Sequence, residues 1–118
     1  MAYVDSFVLA VPKKNLDAYR KMARKAGKAW MKHGALQYVE CVADDVQPGK
    51  STSFPQAVKL KEGEVVVFSY AVYKSRKHRD SVIAKVMKDP FMTGMSAKDM
   101  PFDGKRMFWG GFKPIVSL

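Results

Sequence analysis

Two carboxylates stand where a carboxylate is expensive to keep. Asp5 lies within residues 3–11 and Glu40 within residues 35–46, and both runs are rich in large apolar side chains. An ionised group among such neighbours costs free energy unless it is paired, and burial raises its pKa towards values useful to a general acid or base. Asp5 and Glu40 are therefore the candidate catalytic groups. The alternative for each is an ion pair with Lys105 or Arg106, or a place at the rim of a sheet. Arg106 follows the turn signal Asp103-Gly104 and reads as part of a last strand. Its guanidinium offers a hydrogen-bond fork either to an acidic ligand or to Asp5 or Glu40. Tyr38, Tyr70 and Trp109 join an apolar body to a polar tip, which suits them to line a ligand pocket or to fill a core.

The remaining reactive types say less. Cys41 is the only cysteine, so one chain holds neither a disulfide nor a cysteine-based zinc site. With Val39 and Ala43 on its side of a strand it reads as a small buried apolar residue rather than a nucleophile. His33 and His78 are far apart and fall near helix ends, where a histidine caps or meets solvent. Gly49-Lys50-Ser51-Thr52 imitates the end of a phosphate-binding loop, but Asp44 replaces the leading glycine and Pro48 precedes. No metal and no cofactor are expected.

The elements that must position these residues follow from periodicity. Residues 3–11 read as a strand that is apolar on both sides, stopped by Pro12. Asn15 is the expected cap of a helix to about residue 32, with Leu16, Tyr19, Met22, Ala23, Ala26, Ala29 and Trp30 forming one apolar stripe. Gly34 supplies a permissive backbone at its end. Residues 35–46 read as a second strand and 44–53 as turn chemistry. Residues 54–61 fit either a short helical turn after Ser53 or a strand. Residues 64–73 make the third strand. Ser75 caps a second helix to about residue 88 that buries Val82, Ile83, Val86 and Met87, closed by Asp89-Pro90. A helical turn at 91–98 and a last strand out of residues 100–112 complete the chain.

Strand, helix, strand, strand, helix, strand is the βαββαβ order of a ferredoxin-like α+β sandwich. Its four-stranded antiparallel sheet carries two helices on one face, and the other face keeps residues from sets such as Tyr3, Phe7 and Leu9, Phe68 and Tyr70, or Phe108 and Phe112. Monomers seldom leave so broad an apolar face in water. A homodimer packed sheet against sheet, a dimeric α/β barrel, is expected.

Composition agrees with one folded unit. The 118 residues suit a single ferredoxin-like domain, residues 1–118, and 47% apolar content is that of a globule. No run approaches the ~18 apolar residues of a membrane span, and residues 1–11 read as a strand rather than a signal peptide, so the expected location is cytoplasmic. The net charge of +10 makes this a basic protein, and it is concentrated. Between Lys13 and Lys32, eight basic residues (Lys13, Lys14, Arg20, Lys21, Arg24, Lys25, Lys28 and Lys32) stand against a single carboxylate, Asp17. Such a run is either a solvated coat or an attractor for polyanions.

Tyr3-Val4-Asp5, Ala10-Val11-Pro12, Glu40-Cys41, Asp45-Val46, Gly49-Lys50, Val66-Val67-Phe68-Ser69 and above all Met100-Pro101-Phe102-Asp103-Gly104-Lys105-Arg106-Met107 with Gly110-Gly111-Phe112 resemble the bacterial YbaA-like family of unknown function. The resemblance covers nearly the whole chain and implies a dimeric α/β barrel, with no catalytic residues to carry over. Barrels of this kind that degrade haem combine a first-strand asparagine, a third-strand tryptophan and a second-helix histidine. Here Asp5 or Phe7 and Phe68 or Tyr70 stand in the first two places, with only His78 for the third, so haem chemistry is not expected.

Two functions follow. The first is binding or transformation of a small, acidic metabolite in a pocket between the sheet and the partner chain, using Asp5, Glu40, Arg106 and the aromatic residues. The alternative is a non-catalytic dimeric module, or weak RNA binding through the basic first helix. Nucleic acid is the less expected ligand: residues 64–70 lack the basic, glycine-rich signature of RNA-recognition sheets.

Overall fold

The computed structural model describes residues 2–118. The chain is long enough in β-branched and aromatic residues at its start to build a ten-residue strand, β1 (Tyr3–Pro12). It pairs antiparallel with β3 (Glu64–Tyr73) in a continuous register from Tyr3↔Tyr73 to Pro12↔Glu64. On its other side lies β4 (Phe108–Phe112), with Val4 opposite Phe112. The short strand β2 (Gln37–Val42) lies outside β3, giving the order β2-β3-β1-β4.

Both long helices lie on one face. Helix α1 (Leu16–Lys32) buries Tyr19, Ala23, Ala26, Gly27, Ala29 and Trp30, as its apolar stripe requires. Helix α3 (Arg76–Val86) buries Val82 and Val86 and is capped by Ser75, whose Oγ accepts from the His78 backbone N–H. Against them stand Tyr3, Leu9 and Val11 of β1 with Val67, Ala71 and Tyr73 of β3. Residues 54–61 resolve as a helical turn, α2 (Phe54–Ala57), because Ser53 Oγ accepts from the Gln56 N–H and Pro55 sits where a missing donor is harmless. A further turn, α4 (Pro90–Thr93), starts at Asp89.

The parity of the strands, open in the sequence, is settled by this packing. Tyr3, Phe7 and Leu9 point towards the helices, whereas Phe68, Tyr70, Phe108 and Phe112 lie on the opposite face. There α2 covers one end only, with Val58 packed on Val8, Ala10 and Val66. Phe68, Phe108 and Phe112 are left 37%, 44% and 59% exposed.

Four local expectations are corrected. Asn15 gives no side-chain cap; the chain first makes a 3-10 turn, Lys13–Asn15, and Asn15 Nδ2 donates to the Pro101 carbonyl at 3.1 Å. Met87 is exposed because α3 ends at Val86. Cys41 is exposed rather than buried, since β2 is an edge strand and Cys41 lies on the uncovered face opposite Phe68. Arg106 precedes the last strand instead of belonging to it, in the 3-10 turn Gly104–Arg106. Among the described residues no helix is long and apolar enough to cross a membrane.

Candidate functional site

Where α1 passes over the edge strand β2, none of the described residues covers the gap between them. A groove of about 580 Å³ opens there, within the size range of small-molecule sites. Leu16, Ala23, Gly27, Met31, Val42 and Val67 give it apolar walls. Gly27 sets its depth on one side: a Cβ at that position would stand 2.8 Å from the Tyr38 ring.

Glu40 is the polar centre of this groove. In β2, residues two apart share a face, so Tyr38 and Glu40 point the same way. Tyr38 donates its hydroxyl to Glu40 Oε2 at 2.6 Å, and Tyr19, from α1, donates to Oε1 at 2.7 Å. Trp30 packs against Tyr38 and Phe102 against Tyr19, with ring centroids 5.6 and 5.7 Å apart, which hold both phenols in place. Burial, and then the Glu40 charge, push both phenols far above the usual tyrosine range, so they remain neutral donors. The arrangement holds one carboxylate by two fixed hydroxyls beside an apolar cavity. It suits a group that orients a ligand or accepts a proton from it.

Asp5 is elsewhere. It is 1% exposed, lies between Ala71 of β3 and Gly111 of β4, and does not line the groove. Its Oδ1 forms an ion pair with Arg79 Nε at 3.4 Å in which neither atom makes a hydrogen bond, and Arg79 donates through Nη2 to Tyr3 Oη at 3.0 Å while its guanidinium lies over the Tyr3 ring. Burial raises the Asp5 pKa above the usual carboxylate range, opposed by a Tyr73 hydrogen bond and the Arg79 charge. Gly111 is required beside this cluster, since a side chain there would collide with Arg79 and Tyr3. The structure therefore separates the two carboxylates.

Arg106 pairs with neither of them. Its Nη1 and Nη2 donate to Glu64 Oε1 and Oε2 at 2.7 and 2.6 Å, and its Nε donates to Asp103 Oδ2 at 3.1 Å. With Nη1 also 3.0 Å from the Lys59 carbonyl, the fork is occupied within the chain. Tyr70 lies on the open face beside Phe68, and Trp109 is 61% exposed, stacked on Phe7. The two sides of the sheet thus divide the candidates, and only Glu40 and Tyr38 meet. A pocket between sheet and partner would have to use the other face. Both histidines are engaged within the chain: His33 Nε2 lies 2.8 Å from the Asp89 carboxylate oxygen Oδ2, and His78 Nδ1 accepts from the Lys74 N–H. Among the described residues no group of three or more histidine, cysteine, aspartate or glutamate side chains is placed to hold a metal.

Sequence reasoning missed Tyr19, Arg79 and Glu64. Tyr19 carried a signal, a polar tip within an apolar helical stripe, which demands a buried partner.

A four-stranded antiparallel sheet ordered β2-β3-β1-β4 with its helices on one side is a ferredoxin-like α+β fold. A dimeric ferredoxin-like protein from an uncultured marine organism superimposes with a TM-score of 0.60 at 10% identity, covering 100% of this chain and 98% of the other. SnoaB, a cofactor-independent oxygenase from Streptomyces nogalater, gives 0.61 at 11% identity, covering 99% and 96%. These likenesses concern the fold alone. The chain itself belongs to the family described as Protein of unknown function (DUF1428), whose model matches residues 2–104. It is 52% identical over 116 residues to the uncharacterized protein YbaA of Escherichia coli (strain K12), covering 98% of each chain, which bears out the resemblance read from its motifs.

Proposed function

We propose that this protein is a homodimer in which each protomer binds a small molecule in the groove between α1 and β2, with Glu40 as the group that orients it. The single observation that carries this reading is the Tyr19–Glu40–Tyr38 cluster at the wall of an open apolar cavity. A carboxylate is retained beside apolar surface at a cost in desolvation, and two phenols are spent on holding it. The dimer is supported by the exposed phenylalanines of the uncovered sheet face and by the marine fold neighbours, which are dimeric ferredoxin-like proteins.

A metabolite panel screened by thermal shift tests the groove. Compounds that raise the melting temperature of the wild type should lose about tenfold in affinity, or more, on Glu40→Gln, in line with the worth of a hydrogen bond to a charged group. Far-UV circular dichroism checks that the variant is folded. If hits bind Glu40→Gln as well as wild type, Glu40 has no such role. If no compound stabilises the wild type, the groove reading falls and a dimeric interaction module remains.

A further inference from the structure

The basic residues of α1 are not all alike. Arg20, Arg24, Lys28 and Lys32 recur every fourth residue, form one ridge of the helix, and all line the groove, whereas Lys21 and Lys25 do not. The ends of the ridge are already engaged: Arg20 Nη1 lies 2.9 Å from Asp17 Oδ1, and Lys32 Nζ lies 3.8 Å from Asp89 Oδ2. Arg24 and Lys28, its middle, make no ion pair among the described residues. Two unpaired cations one helical turn apart repel each other unless an anion lies between them. Glu40, from β2, lines the same groove, whose apolar walls include Met31, Val42 and Val67.

The groove therefore draws its cations from α1 and its carboxylate from β2. Tyr19 and Tyr38 already give their hydroxyl protons to Glu40, so the oxygens of that cluster have only acceptor capacity left. What complements them is a donor. A cationic amine would meet the basic ridge on its way in, whereas a hydroxyl carries no charge to be repelled.

Resting on the reading that the groove holds a ligand, we infer that the ligand is an amphipathic hydroxy acid, with its anionic head between Arg24 and Lys28, its apolar body along the groove walls, and its hydroxyl donated to Glu40. The opposite orientation would set two carboxylates together and leave the cations unpaired. The acidic ligand expected at Arg106 is thus assigned to another pair of cations, since the Arg106 fork belongs to Glu64.

Isothermal titration at low salt with a hydroxyphenyl alkanoate, its methyl ester and its deoxy analogue reads the two ends separately. The hydroxy acid should bind wild type about tenfold more tightly than either analogue. The double variant Arg24→Ala, Lys28→Ala should lose the preference for acid over ester and keep that for hydroxyl over deoxy. Glu40→Gln should do the reverse, and Lys21→Ala with Lys25→Ala should change neither. Equal binding of acid and ester by wild type, or loss of the acid preference through Lys21 and Lys25 alone, overturns the inference while leaving an occupied groove. Failure of all three probes to bind, with single-stranded RNA retarded by wild type and released by the Arg24, Lys28 variant, overturns it in favour of a polyanion surface. Failure of all three without any retardation of RNA overturns it too.

Discussion

Glu64 and Arg106 show how far a single ion pair reaches in this fold. Their side chains are only 8% and 13% exposed, and Arg106 adds the Asp103 carboxylate and the Lys59 carbonyl to the pair. The residue therefore ties the turn before β4 to the start of β3 and to the end of the α2 turn. Arg106→Ala should lower stability by about 1–2 kcal/mol, because Glu64 would lose the guanidinium fork and keep only the Lys61 N–H; urea denaturation measures this. The pH dependence has a definite sign. The Arg106 hydrogen bond, over an opposing burial effect, holds the Glu64 carboxyl below its ordinary value of 4.5. Its stabilisation is full above 4.5 and is lost as pH falls through the lower folded value. Asp89, held down first by the Phe91 N–H, and Asp103, held down first by the Lys105 N–H, act in the same direction below 3.8. Asp5 acts oppositely: its pKa is raised by burial, so its contribution is largest below 3.8 and is lost as pH rises through the folded value. In urea titrations from about pH 7 to about pH 3, Glu64→Gln should flatten the loss of stability on acidification. An unchanged slope would remove the pair from this account.

At the scale of elements, α1 and β2 form the site by failing to close on each other. Gly27 is buried in the interior of α1, where alanine would favour the helix by about 1 kcal/mol. Its lost Cβ is space for the Tyr38 ring. Gly27→Ala should therefore destabilise the protein despite the better helix former, and should weaken any groove ligand together with the Tyr38–Glu40 contact. A higher melting temperature would show that the ring yields freely. The elements themselves were legible because their signals are local: the 3.6-residue stripe of α1, the Ser75 cap of α3, and the alternation of β3. The faces of β1 were not legible, since both of its sides are apolar and only the covering helices distinguish them. Arg106 was misread for a different reason. The turn at Asp103-Gly104 was visible, but Asp103 extends it by accepting from the Lys105 N–H, so the strand begins only at Phe108. Its partner Glu64 is 42 residues away, a separation that no local pattern encodes. Glu40 was legible as a carboxylate needing partners, and the partners proved to be phenols rather than cations.

For the whole molecule, the uncovered sheet face is the feature that a single chain leaves unfinished. Phe68, Phe108 and Phe112 share it with half-buried Tyr70, while α2 shields only the end at Val8 and Val66. Light scattering at micromolar concentration should give twice the chain mass of 13.3 kDa, and Phe68→Asp should halve it with little change in far-UV circular dichroism. A wild type that scatters as a monomer ends the proposal of a sheet-to-sheet pair. Glu40 and its two tyrosines stand on the helix side of the sheet, away from Phe68. On the proposed reading, subunit association and groove occupancy use opposite faces of the sheet, and the coupling expected between the two equilibria is small. Dilution would separate the protomers without emptying their grooves, and saturation would leave the dissociation constant of the pair nearly where it was.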